Sequence, residues 1–443
     1  MFAFAKPATR RLIALIVVLA GMGGCATYRP LPLTTKPTLA WRIDQLQGGS
    51  DARLPLDEAT VLRLVMLNNP TLAASRAQRG VEQAQVLDAS VLPNPSVQAS
   101  LGFLVSGEGH ASAWSAGFAQ SLQALVTHGV RRDEARSSAS STDAKLLWEA
   151  WVTLSRARTL VIDVVDGERR LAVQERIALA LESRAASLHA AVARGDEEAG
   201  TASAVFAAAS DARSTHDDAR RTLLAQRAEL ASLMNLDPSA TLPLAALPAS
   251  PRFDAERAQA SIASMGEHRP DLAALRFGYA AQEARVRGAI LSQFAPLSIG
   301  MDASRDSSRV LNIGPAVSFD LPLFDRQQGK IAVAEATRQQ LHDEYTARID
   351  SATAEAHALV TAVLINEHEA TRVPADTQVV DAAGRALGRG DIDARTYSDL
   401  SVATLGQVAN DITRDIYRRE QRIAFDALTG AGLPNSLPPR IAP

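Results

Sequence analysis

One cysteine, Cys25, in 443 residues excludes any disulfide within the chain. Aromatic residues are scarce at 5%, lean for a compact enzyme and ordinary for long helical bundles, where small side chains let helices approach closely. Positive charge is not in excess either: a formal net charge of −3 leaves no basic face for nucleic acid. No phosphate-binding glycine loop and no nucleophile elbow occur. The eight histidines are scattered, and neither His342 with His357 nor His357 with His368 has a spacing that closes a metal site with Cys or Asp. These absences point away from an enzyme.

What is present begins with a targeting segment. Lys6, Arg10 and Arg11 precede the apolar run LIALIVVLAGM, which is too short to span a bilayer and fits a signal core. Residues 1–24 are expected to be a lipoprotein signal peptide, cut before Cys25. MGGC departs from the usual lipobox at Met22, and the alternative is an ordinary signal peptide with a cysteine beside its cleavage site. On the first reading Cys25 carries diacylglyceryl and acyl chains, and each buried CH₂ adds about 0.8 kcal/mol of membrane attachment. Ala26, rather than Asp, follows the cysteine and reads as an outer-membrane address.

The remainder repeats itself. Asn69-Pro70-Thr71-Leu72-Ala73-Ala74 with Arg76 and Ala84 matches Arg269-Pro270-Asp271-Leu272-Ala273-Ala274 with Arg276 and Ala284 at one constant offset, which Gly129 and Gly329 share. Arg194-Gly195-Asp196 later matches Arg389-Gly390-Asp391. The same order of elements in both halves implies a tandem duplication.

Each half reads as helix, two strands, long helix and return helix. The first helices are expected at 56–92 and 270–293. Val97, Ala99, Leu101, Phe103 and Val105 then alternate with small or polar residues, as do Trp114, Ala116 and Phe118 after the turn SGEGHAS. In the second half Leu297, Ile299, Met301 and Ala303 form one such face. Leu311, Ile313, Pro315, Val317, Phe319 and Leu321 form the next. Strict period two over about 9–11 residues is what a membrane barrel strand requires. The strands are placed at 96–105, 113–122, 296–304 and 310–321.

Long helices are expected at 129–193 and 326–387; about 60 residues of helix reach roughly 90–100 Å. Val164, Leu171, Ala178, Ala185 and Val192 step by seven, as in helices wound on a partner. Four strands cannot close a barrel, and open edges in lipid leave peptide groups without partners. Either the hairpins belong to a soluble sheet on a lipid-anchored periplasmic coiled-coil scaffold, or other subunits complete them. Three copies would supply twelve strands, an even number that closes.

The segments NNPTLAASRAQRGVEQAQVLDASVLPNPSV, HRPDLAALRFGYAAQEARVRGAILSQFAP and FDLPLFDRQQGKIAVAEATRQQ resemble the outer membrane efflux protein family, the TolC-like channels of tripartite export systems. The resemblance covers nearly all of the mature chain. It implies a mixed fold: a trimeric 12-stranded transmembrane β-barrel, four strands per chain, on a long all-α coiled-coil tunnel in the periplasm. It implies a homotrimer in the outer membrane of a Gram-negative bacterium, served by a periplasmic adaptor and an inner-membrane pump, with no cofactor beyond the lipid on Cys25. The role would be a passive exit duct for small solutes. Metal cations are the preferred cargo; drug export and type I protein export use the same architecture.

By that likeness, residues 25–55 are an extended N-terminal segment, 56–236 the first repeat and 237–268 a linker and equatorial segment. Residues 269–430 are the second repeat and 431–443 a tail. Pro322, Gly329 and Gly129 are expected at the barrel-to-tunnel junctions, Pro322 ending strand pairing and Gly329 allowing a tight change of direction. Gly195, Asp196, Gly390 and Asp391 form the helix-tip turns where a partner would dock. The family carries an acidic residue nine positions after the last turn glycine; here that is Asp399, a candidate for the periplasmic aperture. Thr396 stands where some relatives have a second acid, and the first repeat has Ala204 in the equivalent place.

Overall fold

The structure is a computed structural model of the chain that describes residues 28–103, 105, 106, 111–250, 252–294, 296–369 and 378–432. The signal segment 1–24, Cys25 and the tail from 433 onward lie outside the described residues. The chain divides into two units, Met1–Leu39 and Ala40–Pro443. In the first, the described residues 28–39 are exposed and irregular. All that follows concerns the second.

Two short helices open it, α1 (Glu58–Asn68) and α2 (Pro70–Ser90). The single helix expected at 56–92 is thus two. The break falls at Asn69, because Pro70 has no N–H to continue the α1 ladder but suits the first position of a new helix. Asn69 caps α2, accepting from the Leu72 N–H at 3.0 Å, as Asp57 caps α1 through the Thr60 N–H at 2.9 Å. Strands β1 (Ser96–Gly102) and β2 (Ala113–Ser121) follow, then α3 (Leu122–Arg194) and α4 (Ala199–Leu233).

Later come α5 (Ala255–His268) and α6 (Pro270–Leu291), then β3 (Leu297–Arg305) and β4 (Leu311–Phe319). The chain continues as α7 (Gln328–Glu369), α8 (Gln378–Arg389) and α9 (Ala394–Thr429). The helix expected at 326–387 is described as α7 and α8, with 370–377 outside the described residues.

The repeated motif residues hold equivalent places. Arg76 donates to the Met66 carbonyl and Arg276 to the Gly266 carbonyl at 2.8 Å, each tying a helix to the end of the one before it. Arg269, where the first half has Asn69, is 1% exposed. It grips Asp271 through two contacts of 2.9 and 2.5 Å, donates to the Leu428 carbonyl at 3.0 Å and lies 4.9 Å from the Trp148 ring centroid. Burial alone would raise the Asp271 carboxyl, but Arg269 and Arg348 outweigh it and hold the group below the usual carboxylate range.

At 73 residues, α3 runs for about 110 Å, and α4, α6 and α9 pack along it. Its middle is the best-packed place in the molecule. There Ala157, Leu160, Val161 and Val164 meet Val61, Leu64 and Val65 of α1, Leu223 and Leu230 of α4, and Met234 and Leu236 beyond it. Two smaller clusters lie nearby. One sets Ile162 against Ile412, Ile416 and Ile423 of α9; the other centres on Phe425, with Phe253 edge-on to it at 5.6 Å.

The strands form one antiparallel sheet in the order β1-β2-β3-β4. They are shorter than the expected 96–105, 113–122 and 310–321, because ladder pairing stops at Gly102, Ser121 and Phe319. β2 passes directly into α3, whose first turn is capped by the Ser121 hydroxyl on the Ala124 N–H at 3.2 Å. Gly129 therefore lies inside α3 and is no junction residue. At the other junction Pro322 lies in the irregular link between β4 and α7. The left-handed residue there is Gln327 (φ 61°), while Gly329 is already helical. The reversal that glycine was expected to permit falls two positions earlier.

Candidate functional site

Two places stand out, the sheet at the start of α3 and the helix tips at its far end. In the sheet, register sorts most residues by polarity, with Gln120 and Arg305 the exceptions on the apolar face. Val97, Phe118, Met301 and Pro315 stand side by side across the four strands, as do Ala99, Ala116, Ala303 and Ile313. On the other face the rows read Gln98, Gly117, Asp302, Gly314 and Ser100, Ser115, Ser304, Asn312. Side chains alternate along a strand, so one face is apolar and the other small and polar. Ser100 and Ser115 are hydrogen-bonded at 2.8 Å on the polar face.

Among the described residues no other element covers most of the apolar face. Val97 is 79% exposed, Leu101 72% and Ile313 67%. Beyond β4, Leu321, Leu323 and Phe324 are exposed as well. Neither outer edge, β1 nor β4, has a further strand among the described residues.

At the tips, Gly195 (φ 80°) and Gly390 (φ 77°) end α3 and α8 in the left-handed conformation. Each is flanked by the same contact: Arg194 Nε to Asp196 Oδ2 at 2.8 Å and Arg389 Nε to Asp391 Oδ2 at 2.7 Å. Asp393 caps α9, accepting from the Thr396 N–H at 2.7 Å; hydrogen bonding to Thr396 holds its carboxyl low. Thr396 thus serves the cap in this structure.

Asp399, one turn further on, is paired with Arg184 of α3 and stands 4.0 Å from Arg395 Nε. Its side chain is 56% exposed, that of Arg184 20%. Beside this pair lies a groove of about 870 Å³ between the last turns of α3 and the first turns of α4 and α9, lined by Arg184, Glu197, Ala204, Arg395, Tyr397 and Leu405. Arg184 could not be paired with Asp399 from the sequence, because the partners are far apart in the chain and no motif joins them.

Midway along α3 a buried charged belt faces α9. Burial, reinforced by a hydrogen bond with Glu420, pushes the Asp163 carboxyl up to about 7, with Arg156 and Arg170 opposing. Asp166 is buried beside it, 2.8 Å from Arg169 and 3.8 Å from Arg419. This belt was not anticipated; an Asp within an apolar helical stretch was the available signal. Among the described residues no group of His, Cys, Asp and Glu is arranged to hold a metal ion, and no helix is long and apolar enough to cross a membrane.

No family model and no curated protein matches the chain. Solved structures do. The outer membrane protein VceC from Vibrio cholerae is similar over 85% of this chain and 97% of that one, at 16% identity and a TM-score of 0.65. A membrane protein from Pseudomonas aeruginosa matches 91% and 97% of the two chains at 16% identity and a TM-score of 0.67. The outer membrane channel MtrE of Neisseria gonorrhoeae, in its open state, matches 85% and 89% at 15% identity and 0.64. At such identities the likeness is one of fold, sustained over nearly the whole length of each relative. The chain has the fold of the outer membrane efflux channels, the family its sequence resembles.

Proposed function

We propose that the chain is the outer-membrane exit duct of a tripartite export system and works as a homotrimer. The observation that carries this reading is the sheet, with one face apolar except for Gln120 and Arg305 near its two ends and largely exposed, the other small and polar, and no further strand on either edge among the described residues. Three copies joined β1 to β4 make a closed twelve-stranded barrel, the arrangement that leaves no peptide group unpaired in lipid. The apolar face then meets lipid and the polar face lines the pore. The duplicated halves continue as helices into the periplasm, where α3 with α4 and α7 to α9 build the tunnel wall.

Such a duct makes and breaks no bonds, so an inner-membrane pump supplies the energy and an adaptor docks near the tips at Gly195, Asp196, Gly390 and Asp391. Asp399, held by Arg184, is the aperture carboxylate, repeated three times around the axis. Small solutes are the cargo, metal cations by preference. Cys25, lipidated after removal of 1–24, anchors each chain to the same membrane.

Detergent extraction from the outer-membrane fraction followed by negative-stain electron microscopy tests this reading. Elongated three-fold particles over roughly 100 Å long, with a detergent belt at one end, are expected. Monomeric rods released without detergent by Cys25→Ser would sink it.

A further inference from the structure

Within the four strands two residues are ionisable, Asp302 and Arg305, and they stand on opposite faces. Arg305 ends β3 between Trp114 and Leu311, at the rim of the apolar face, where a long side chain can carry its charge out to water. Asp302 lies in the middle of the polar face. Its lateral neighbours are Gly117 on β2 and Gly314 on β4, so neither flanking strand brings a side chain against it.

The room at Gly117 is taken by the carboxylate itself: a Cβ there would come within 1.9 Å of Asp302 Oδ1. Ser115, Ser304 and Asn312 complete the surroundings, all neutral. The carboxylate is exposed and has no hydrogen-bond or ion-pair partner among the described residues. A lone surface carboxylate on a soluble protein would mean little. On the inner wall of a closed barrel it faces its two symmetry copies across water bounded by protein and lipid, where fields are focused.

We propose that Asp302 gives the wall of the duct its ionic preference, drawing small cations along the polar face of the sheet and holding back anions. This inference rests on the duct reading above. Screening lengths of about 10 Å at 0.1 M salt and about 30 Å at 0.01 M make the preference strongest at low ionic strength.

The test uses the full chain in lipid vesicles with one added thiol, Ser304→Cys, on the same face, and background labelling of the parent chain subtracted. Cationic and anionic methanethiosulfonates are compared, each normalised to its rate with a free small thiol. At 10 mM salt the cationic reagent should be favoured about three- to tenfold, falling towards parity at 1 M salt and in the Asp302→Asn variant. In planar bilayers the reversal potential under a salt gradient should move towards anions for Asp302→Lys. An unchanged reagent ratio in Asp302→Asn, or an unmoved reversal potential in Asp302→Lys, overturns the proposal. A Met301→Cys control separates this from failure of the duct reading. It should be protected by lipid, and labelling equal to that of Ser304→Cys would remove the barrel itself and the inference with it.

Discussion

The middle of α3 and the β-sheet are both rich in apolar side chains, yet in one they are buried and in the other largely exposed. Leu160, Val161 and Val164 are covered by α1 and α4 of the same chain, whereas Val97, Leu101 and Ile313 are covered by nothing. Covering apolar area contributes about 25 cal/mol per Å² wherever the cover comes from. The helical middle obtains it by folding alone. On the duct reading proposed above, the sheet obtains it from lipid and from two further copies of itself. The difference is that the helical middle is covered from within the chain, while the sheet's apolar face is left for a cover from outside it.

Several substitutions would break or sharpen this contrast. The largest effect is expected for Ile313→Arg, which should abolish membrane assembly. A charge at the bilayer midplane costs roughly 2–4 kcal/mol per chain, and the barrel contains every copy at once. The helical circular dichroism and thermal unfolding of the detergent-free chain should stay unchanged; a chain that fails to fold would mean the sheet is part of the core. Leu160→Ala should do the reverse. It opens a cavity at a fully buried position and is expected to lower unfolding stability by about 2–5 kcal/mol, read by denaturant titration, whether or not lipid is present.

Asp163→Asn is a smaller effect within the helical middle. Burial, with the hydrogen bond to Glu420, pushes the folded carboxyl up to about 7, well above the ordinary carboxylate range, so the folded state binds the proton more tightly than the unfolded chain does. Its stabilising contribution is complete below about pH 4 and is lost as the pH rises through about 7. Relative to Asp163→Asn, the wild-type Tm should therefore fall between those limits and run parallel outside them. The smallest stability effect is expected for Arg184→Ala. It frees the half-exposed Asp399 and should change stability by about 0–1 kcal/mol, since exposed ion pairs contribute little. Its conductance should nevertheless rise if the pair closes the aperture, which single-channel recording in bilayers would show.

Much of the fold is legible without coordinates where the rule is local. The period of two in Leu311, Ile313, Val317 and Phe319 does predict which side chains share a face, because alternation is a property of any extended chain. Gly195 and Gly390 announce helix ends because the left-handed conformation costs an L side chain strain. Local rules also explain two misplacements. Helical composition continues across Pro70, which starts a new helix, and Gly129 marks no boundary because a glycine is tolerated within a helix as long as α3.

The candidate sites divide along the same line. Asp399 is singled out only through the family resemblance, and Asp302 only through register, since its isolation depends on Gly117 and Gly314 arriving on neighbouring strands. The pairing of Arg184 with Asp399, the burial of Arg269 against Trp148 and the meeting of Asp163 with Glu420 could not be read at all. By itself the sequence determined the order of helices and strands, the two faces of each strand and, at Gly195 and Gly390, where helices stop. Those follow from backbone geometry and from neighbours a few residues away. Only the tertiary structure decided which charges are paired, which carboxyl is buried and which apolar face stays uncovered, because each depends on groups brought together from distant parts of the chain.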